Sequence, residues 1–269
     1  MKRIVIALGG NAFLRKNQKG FFREQVENLK LSLKSLVSIL NTYEVVLTHG
    51  NGPQVGNIYL QQELLARFVP PMPLDACDAM SQGLIGYMLL QALNSIPLNK
   101  PVVVLVTRVL VNLNDPAFKK PTKPIGPYYS EKEAKRLERE RKWTFIKTPE
   151  GMFRRVVPSP KPVKILDTKP IKELIEKGFL VVACGGGGIP VAFENNSLRG
   201  VEAVIDKDLT AALLASSIEA DTLIILTNVD YVYLNYATPS QKPLRKMSLR
   251  EAEKYYREGH FPPGSMGPK

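Results

Sequence analysis

Three short apolar runs of β character each end abruptly in a glycine cluster: IVIALGG at residues 4–10, EVVLTHGNG at 44–52 and FLVVACGGGG at 179–188. A strand that empties into glycine leaves backbone amides bare at its carboxyl end, and with no side chains there an anion can approach the main chain closely. In an open α/β sheet the carboxyl ends of the strands share the edge where ligands bind. The chain is therefore expected to place three glycine turns on one edge.

The segments between the runs support this class. Phe22, Val26, Leu29, Leu33, Leu36, Val37 and Leu40 recur at three- and four-residue intervals, which predicts a helix over 22–40. Further helices are predicted over 53–67, 75–93, 169–177, 208–217 and 248–258. Strands are predicted over 102–107, 190–194 and 222–227, with a hairpin around 229–234. VVVLVT at 102–107 has the continuous apolar character of a strand buried on both faces. Strands alternating with helices in this order predict an α/β fold with a largely parallel sheet covered on both sides.

A net charge of +12 suggests nucleic acid at first sight, but its distribution argues otherwise. Residues 117–165 carry 14 Lys or Arg against 5 Asp or Glu, so most of the excess is local. This region is rich in proline and holds the lone tryptophan, Trp143. It reads as a protruding subdomain or lid over 112–165, inside one domain that spans 1–269. Within it, EKEAKRLERERK at 131–142 has the alternating charges of a solvated helix. Two isolated cysteines, Cys77 and Cys184, suit a reducing cytoplasm. The apolar start is too short for a signal peptide, and no run approaches the roughly 20 apolar residues that cross a bilayer. A cytoplasmic protein without a membrane or nucleic-acid partner is expected.

Several chemistries lack their residues. Only His49 and His260 are present and there is no cysteine cluster, so a zinc or iron site would need unusual ligands. There is no Walker lysine loop, no G-x-G-x-x-G opening a helix and no G-x-S-x-G elbow to support hydrolysis through His49. What remains is backbone-rich turns together with lysines in special settings: Lys123 in PTKP, Lys207 in IDKD and Lys269 in GSMGPK. Phosphoryl transfer uses this combination, because its transition state is stabilised chiefly by positioning and by positive charge around the equatorial oxygens. Asp208 is placed either to orient Lys207 or to cap the helix that follows, and can do both.

Long motifs in order along the chain are similar to those of carbamate kinases. They include ALGGNA at 7–12, THGNGPQVG at 48–56, DAMSQGLIGY at 78–87, PTKPIGP at 121–127, RRVVPSP at 154–160, GGGGIPV at 185–191, GVEAVIDKDL at 200–209 and the final GHFPPGSMGPK. The resemblance implies the amino-acid-kinase fold, a three-layer αβα sandwich, and a homodimer. It also implies reversible phosphoryl transfer between ATP and carbamate, giving ADP and carbamoyl phosphate, run toward ATP in arginine breakdown. Magnesium would come with the nucleotide, held mainly by its phosphates, with no metal site of protein ligands.

By the same resemblance, Gly9, Gly10 and Asn11, with Gly50, Asn51, Gly52, Gly186 and Gly187, would surround carbamate and the moving phosphoryl group. Lys123 would reach in from the protruding subdomain, Lys207 would act on the phosphates, and Asp208 would organise the lysines. Thr227, Asn228, Met266, Gly267 and Lys269 would meet the nucleotide. Related kinases of other small acids carry a lysine two residues before the opening glycine, where this chain has Ala7; the missing cation is expected from Lys123. Two departures stand out: Asn228 occupies a position that is usually aspartate, and family members continue beyond the equivalent of Lys269. An acid kinase with another substrate and an inactive nucleotide- or nucleic-acid-binding relative are the alternative readings.

Overall fold

The computed structural model describes residues 1–15, 18–148, 150–262 and 266–269, with the side chain of Asn11 also outside the description. These residues group into two units, 1–226 and 227–269. In chain order the first unit begins with β1 (Arg3–Leu8), α1 (Phe22–Lys34), α2 (Val37–Thr42), β2 (Glu44–His49), α3 (Gly52–Leu65) and α4 (Leu74–Asn94). Next come β3 (Val102–Val104), β4 (Arg108–Val111), β5 (Lys123–Tyr129), α5 (Glu131–Arg141), β6 (Thr144–Lys147), β7 (Phe153–Val157) and β8 (Pro162–Ile165). The unit closes with α6 (Thr168–Glu176), β9 (Leu180–Val182), β10 (Ile189–Glu194), β11 (Ser197–Gly200), α7 (Lys207–Ser217) and β12 (Thr222–Ile225). The second unit holds β13 (Val232–Leu234), β14 (Lys242–Leu244) and α8 (Leu249–Arg257).

The central sheet has the order β12-β1-β2-β9-β3, with every neighbouring pair parallel. Alternate residues of its strands face opposite layers, as the two-residue period of a strand requires. Ile4, Ile6, Leu8, Val45, Leu47 and Val182 point toward Leu29 and Leu33 of α1 and Ile85, Met88 and Leu89 of α4. Val5, Val46 and Val181 point the other way, onto Ile171 and Ile175 of α6 and Leu214 of α7. This is a three-layer αβα sandwich, and its two cores account for the continuous apolar runs.

Two smaller sheets flank it in sequence. One has the order β11-β10-β4-β8, in which β4 and β10 run parallel and the outer pairs are antiparallel. The other, β5-β7-β6, is antiparallel and is formed by residues 123–157. It carries α5, whose Ser130 and Glu133 make a capping box and whose charges pair at helical spacing, Glu131 with Lys135 and Arg136 with Glu140. Pro162–Ile165 belongs to β8 and pairs with β4.

The structure corrects four expected elements. The helix over 22–40 is broken into α1 and α2: the Ser32 and Ser35 hydroxyls bond back to the carbonyls of Asn28 and Ser32, and Leu36 closes a tight turn onto Leu33. The run at 102–107 is a strand only to Val104. Beyond it Thr107, fully buried, leaves the central sheet: its amide bonds to Gln82 Oε1 at 2.9 Å, and its hydroxyl accepts from the Cys184 amide at 2.8 Å. α7 starts at Lys207 with Asp206 as its cap, one residue earlier than predicted, and Asp208 is not the cap. The hairpin near 229–234 contains only β13, whose partner β14 lies at 242–244.

Candidate active site

β1, β2 and β9 are adjacent in the sheet, so the three glycine turns share one edge, as expected. They are not equivalent. Gly10 is exposed, and a Cβ there would meet nothing within 4 Å, so packing does not demand glycine. Gly9 is constrained by its neighbour: a Cβ would lie 2.6 Å from the carbonyl oxygen of Leu226, just beyond β12. The backbone of Asn11 is in the short 3-10 turn Gly10–Ala12; its side chain lies outside the description.

The β2 turn supplies Gly50, Asn51 and Gly52, which lead directly into α3. Gly50 is flanked by the stem of Lys207, whose Cδ would be 3.2 Å from an added Cβ. Gly52 faces the carbonyl of Pro124, next to Lys123. Asn51 stands at the cap position of α3 but does not bond to the helix amides. Its Nδ2 donates instead to Asp78 Oδ1 at 2.9 Å and to Ser81 Oγ at 2.8 Å, both on α4.

The tetraglycine does not open to solvent. Gly185, Gly186 and Gly187 are buried behind the β2 turn. Gly186 and Gly187 have φ of +68° and +94°, which side chains rarely adopt, and a Cβ on Gly186 would overlap the Asn51 amide. A Cβ on Gly185 would overlap the His49 ring, and one on Gly187 the Ile205 carbonyl. These glycines therefore form the wall against which Asn51 and His49 rest. His49 is 1% exposed, bonds through Nδ1 to the Gly50 carbonyl at 3.0 Å and lies edge-on to Phe13. Burial lowers its pKa to about 4, so the ring is neutral at pH 7 and donates from Nδ1.

Two lysines from distant segments meet at the start of α7. Lys123, the first residue of β5, bonds through Nζ to Asp206 Oδ2 at 2.6 Å. The other oxygen of Asp206 accepts the amides of Asp208 and Leu209, capping the helix. Burial opposes ionisation of Asp206, but the Lys123 charge and hydrogen bond, with the two amides, outweigh it and hold its carboxyl below the usual range. Lys207 pairs with Asp208. Each lysine is thus paired with its own carboxylate, and Asp206 is the one that sequence reasoning missed. Its signal was present, since a carboxylate stands on each side of Lys207.

β5 is tied to α3 at Gly56, where a Cβ would overlap the backbone of Ile125 and Gly126. Arg154 of β7 donates to the Gly126 carbonyl at 2.9 Å. These contacts hold the strand that carries Lys123 against the helix that follows Asn51.

In the second unit, Thr227, Asn228, Met266 and Lys269 line one pocket of ≈ 210 Å³. Tyr233, Tyr236 and His260 line it too; sequence reasoning missed these three, although the density of tyrosines in YVYLNY was a usable signal. Gly267 lines a neighbouring cavity of ≈ 350 Å³, with Met266 and Lys269 again on its wall. Thr227 and Asn228 touch through their side chains at 3.4 Å.

No described helix is long and apolar enough to cross a membrane. Residues 2–269 match the model of the amino acid kinase family. The chain is 50% identical to a carbamate kinase of Thermococcus kodakarensis and 48% identical to one of Pyrococcus furiosus; each alignment covers 100% of this chain and 88% of the relative. A solved carbamate kinase from Giardia lamblia bound to AMP-PNP is similar over 100% of this chain and 87% of its own, at 44% identity and a TM-score of 0.89. The same enzyme bound to citric acid gives a TM-score of 0.92. The chain therefore belongs to the amino acid kinase family, in its carbamate kinase branch.

Proposed function

We propose that this protein transfers a phosphoryl group between ATP and carbamate, and that the residues gathered at the sheet edge perform the transfer. The observation that carries the site assignment is the meeting of Lys123 and Lys207 at the start of α7, beside the turn that holds Asn51. A carboxylate oxygen of carbamate attacks the γ-phosphorus of ATP, the bond to the bridging oxygen breaks, and its electron pair leaves with ADP. No proton transfer is required in this step. Catalysis then consists of holding the two anions in line and stabilising charge on the moving group.

Lys123 and Lys207 supply the positive charge, and Asp206 and Asp208 hold their ammonium groups in place. The amides of Gly52 and Gln54 in the first turn of α3, where Pro53 has none, would add a helix-terminal anion site. Gly10 leaves room for the phosphoryl group, consistent with the empty space around its Cα. Ala7, fully buried inside β1, offers no charge, and Lys123 provides it from another sheet. Thr227, Asn228, Met266, Gly267 and Lys269 are proposed for the nucleotide, with Tyr233 and Tyr236 offering rings for a base.

Magnesium fits as a companion of the nucleotide. Asp206 and Asp208, the carboxylates beside the lysines, are committed to ion pairs. Phosphate oxygens would therefore be its main ligands, and when bound it would withdraw negative charge from them. A homodimer is supported by a stripe on α4, where Met80 and Tyr87 are exposed on either side of the open Gly83 and Phe22 packs beside Tyr87. A cytoplasmic setting, with flux toward ATP in arginine breakdown, completes the proposal. In the test, the protein is incubated with ADP, magnesium and carbamoyl phosphate, and ATP is measured. No ATP from a folded sample overturns it.

A further inference from the structure

Asn51 is a residue type that ordinarily caps a helix, yet at the cap position of α3 it turns its amide away to α4. Which atoms of that amide face α4 is settled by Ser81. The Ser81 hydroxyl donates to the Asp78 carbonyl at 2.7 Å, so its single hydrogen is spent and its oxygen can only accept. The Asn51 atom 2.8 Å away is therefore nitrogen. The second amide hydrogen goes to Asp78 Oδ1 at 2.9 Å. Both donors are consumed, and among the described residues nothing donates to Asn51 Oδ1. Gly186 packs against the face of the amide, with no room for a Cβ between them.

We infer that Ser81 and Asp78 determine substrate selectivity, by fixing Asn51 so that it presents its carbonyl oxygen, and only that, to the substrate. The inference rests on the proposed reaction. Carbamate differs from acetate in carrying NH2 where acetate has a methyl group, and an acceptor in the site rewards that difference. The backbone amides and lysines nearby serve the carboxylate and phosphoryl oxygens; Asn51 Oδ1 serves the nitrogen. Asp78 supplies one of the two acceptors for that amide. It is fully buried, and burial drives its pKa well upward against the opposing hydrogen bond from Asn51. Its Oδ2 has no partner among the described residues, so Oδ1 is the oxygen that serves Asn51. Ser81 and Asp78 are positioning residues that act through Asn51.

The test compares kcat/KM for carbamoyl phosphate and acetyl phosphate as phosphoryl donors to ADP. A buried acceptor left without a donor costs enough that the wild-type preference for carbamoyl phosphate should include a factor of roughly tenfold to a hundredfold from this contact. Ser81→Ala, which removes the acceptor that fixes which atom of the amide faces α4, should lose that factor while its circular dichroism and its rate with acetyl phosphate stay unchanged. Asp78→Ala, which removes the other acceptor, should lose it too, and Asp78→Asn, which restores an acceptor oxygen on a side chain of the same size, should retain the preference. General damage lowers both rates together and leaves their ratio alone, so an unchanged ratio in Ser81→Ala overturns the inference while the reading of the enzyme stands. An unchanged ratio in Asp78→Ala overturns the role of Asp78. Absence of ATP from either donor in the wild type overturns the proposed reaction, and this inference with it.

Discussion

His49 offers a quantitative test of the packing at the sheet edge. Its folded pKa of about 4 lies below the unfolded value of 6.5, so the folded chain binds this proton less readily than the unfolded chain. The contribution to stability is therefore fully present above about pH 6.5 and is lost as pH falls toward about 4. Between pH 7 and pH 4.5 the linkage relation gives a loss of roughly 2–2.5 kcal/mol from this one group. His49→Asn removes the titration while leaving an amide that can donate to the Gly50 carbonyl, where Nδ1 did. The smaller side chain leaves a cavity, which costs about 1–3 kcal/mol at any pH. The assay is urea unfolding of wild type and variant at both pH values. Subtraction removes carboxylates common to the two proteins, so the wild-type advantage at pH 7 should shrink by roughly 2 kcal/mol at pH 4.5. A constant difference would mean that the imidazole is solvated or charged, and would refute its burial between Phe13 and Gly185.

Other expectations follow from single contacts. Lys123→Ala should lower turnover by about 10²–10³-fold, the scale for a charge-stabilising donor, with little loss of fold because the residue is only part-buried; normal activity would remove it from the mechanism. Gly56→Ala should destabilise the chain by about 3 kcal/mol or more, since its Cβ would enter the β5 backbone. Gly83→Ala, where a Cβ meets nothing within 4 Å in the single chain, should cost far less than Gly56→Ala. Equal thermal shifts for these two variants would contradict the packing described. Cys77 and Cys184 are both buried, and burial raises the Cys77 pKa to about 11 and pushes that of Cys184 up as well. A colorimetric thiol reagent should find neither in the native protein and both after denaturation; rapid native labelling would refute their burial.

Much of this was legible in sequence because the relevant signals are local. Strand runs ending in glycine, helical spacing from Phe22 to Leu33 and the alternating charges of 131–142 depend on residues a few positions apart. Lys123 and Lys207 stood out by their settings, and the glycine turns by composition. Less legible were boundaries controlled by distant partners. Nothing within VVVLVT says that it will cease to be a strand after Val104; the reason is Gln82 and Cys184, which draw Thr107 out of the sheet.

By itself the sequence determined the class of fold, the sheet edge that gathers the glycine turns and the residue types available there, since periodicity and backbone freedom are properties of neighbours along a chain. Only tertiary structure decided how those residues divide the work. It made Asp206 the partner of Lys123, turned the tetraglycine from an open cradle into a buried wall, and oriented Asn51 through Ser81 and Asp78. Each of these is a contact across 27 or more positions, and its geometry is set by which strands lie side by side, a fact that no short stretch of sequence contains.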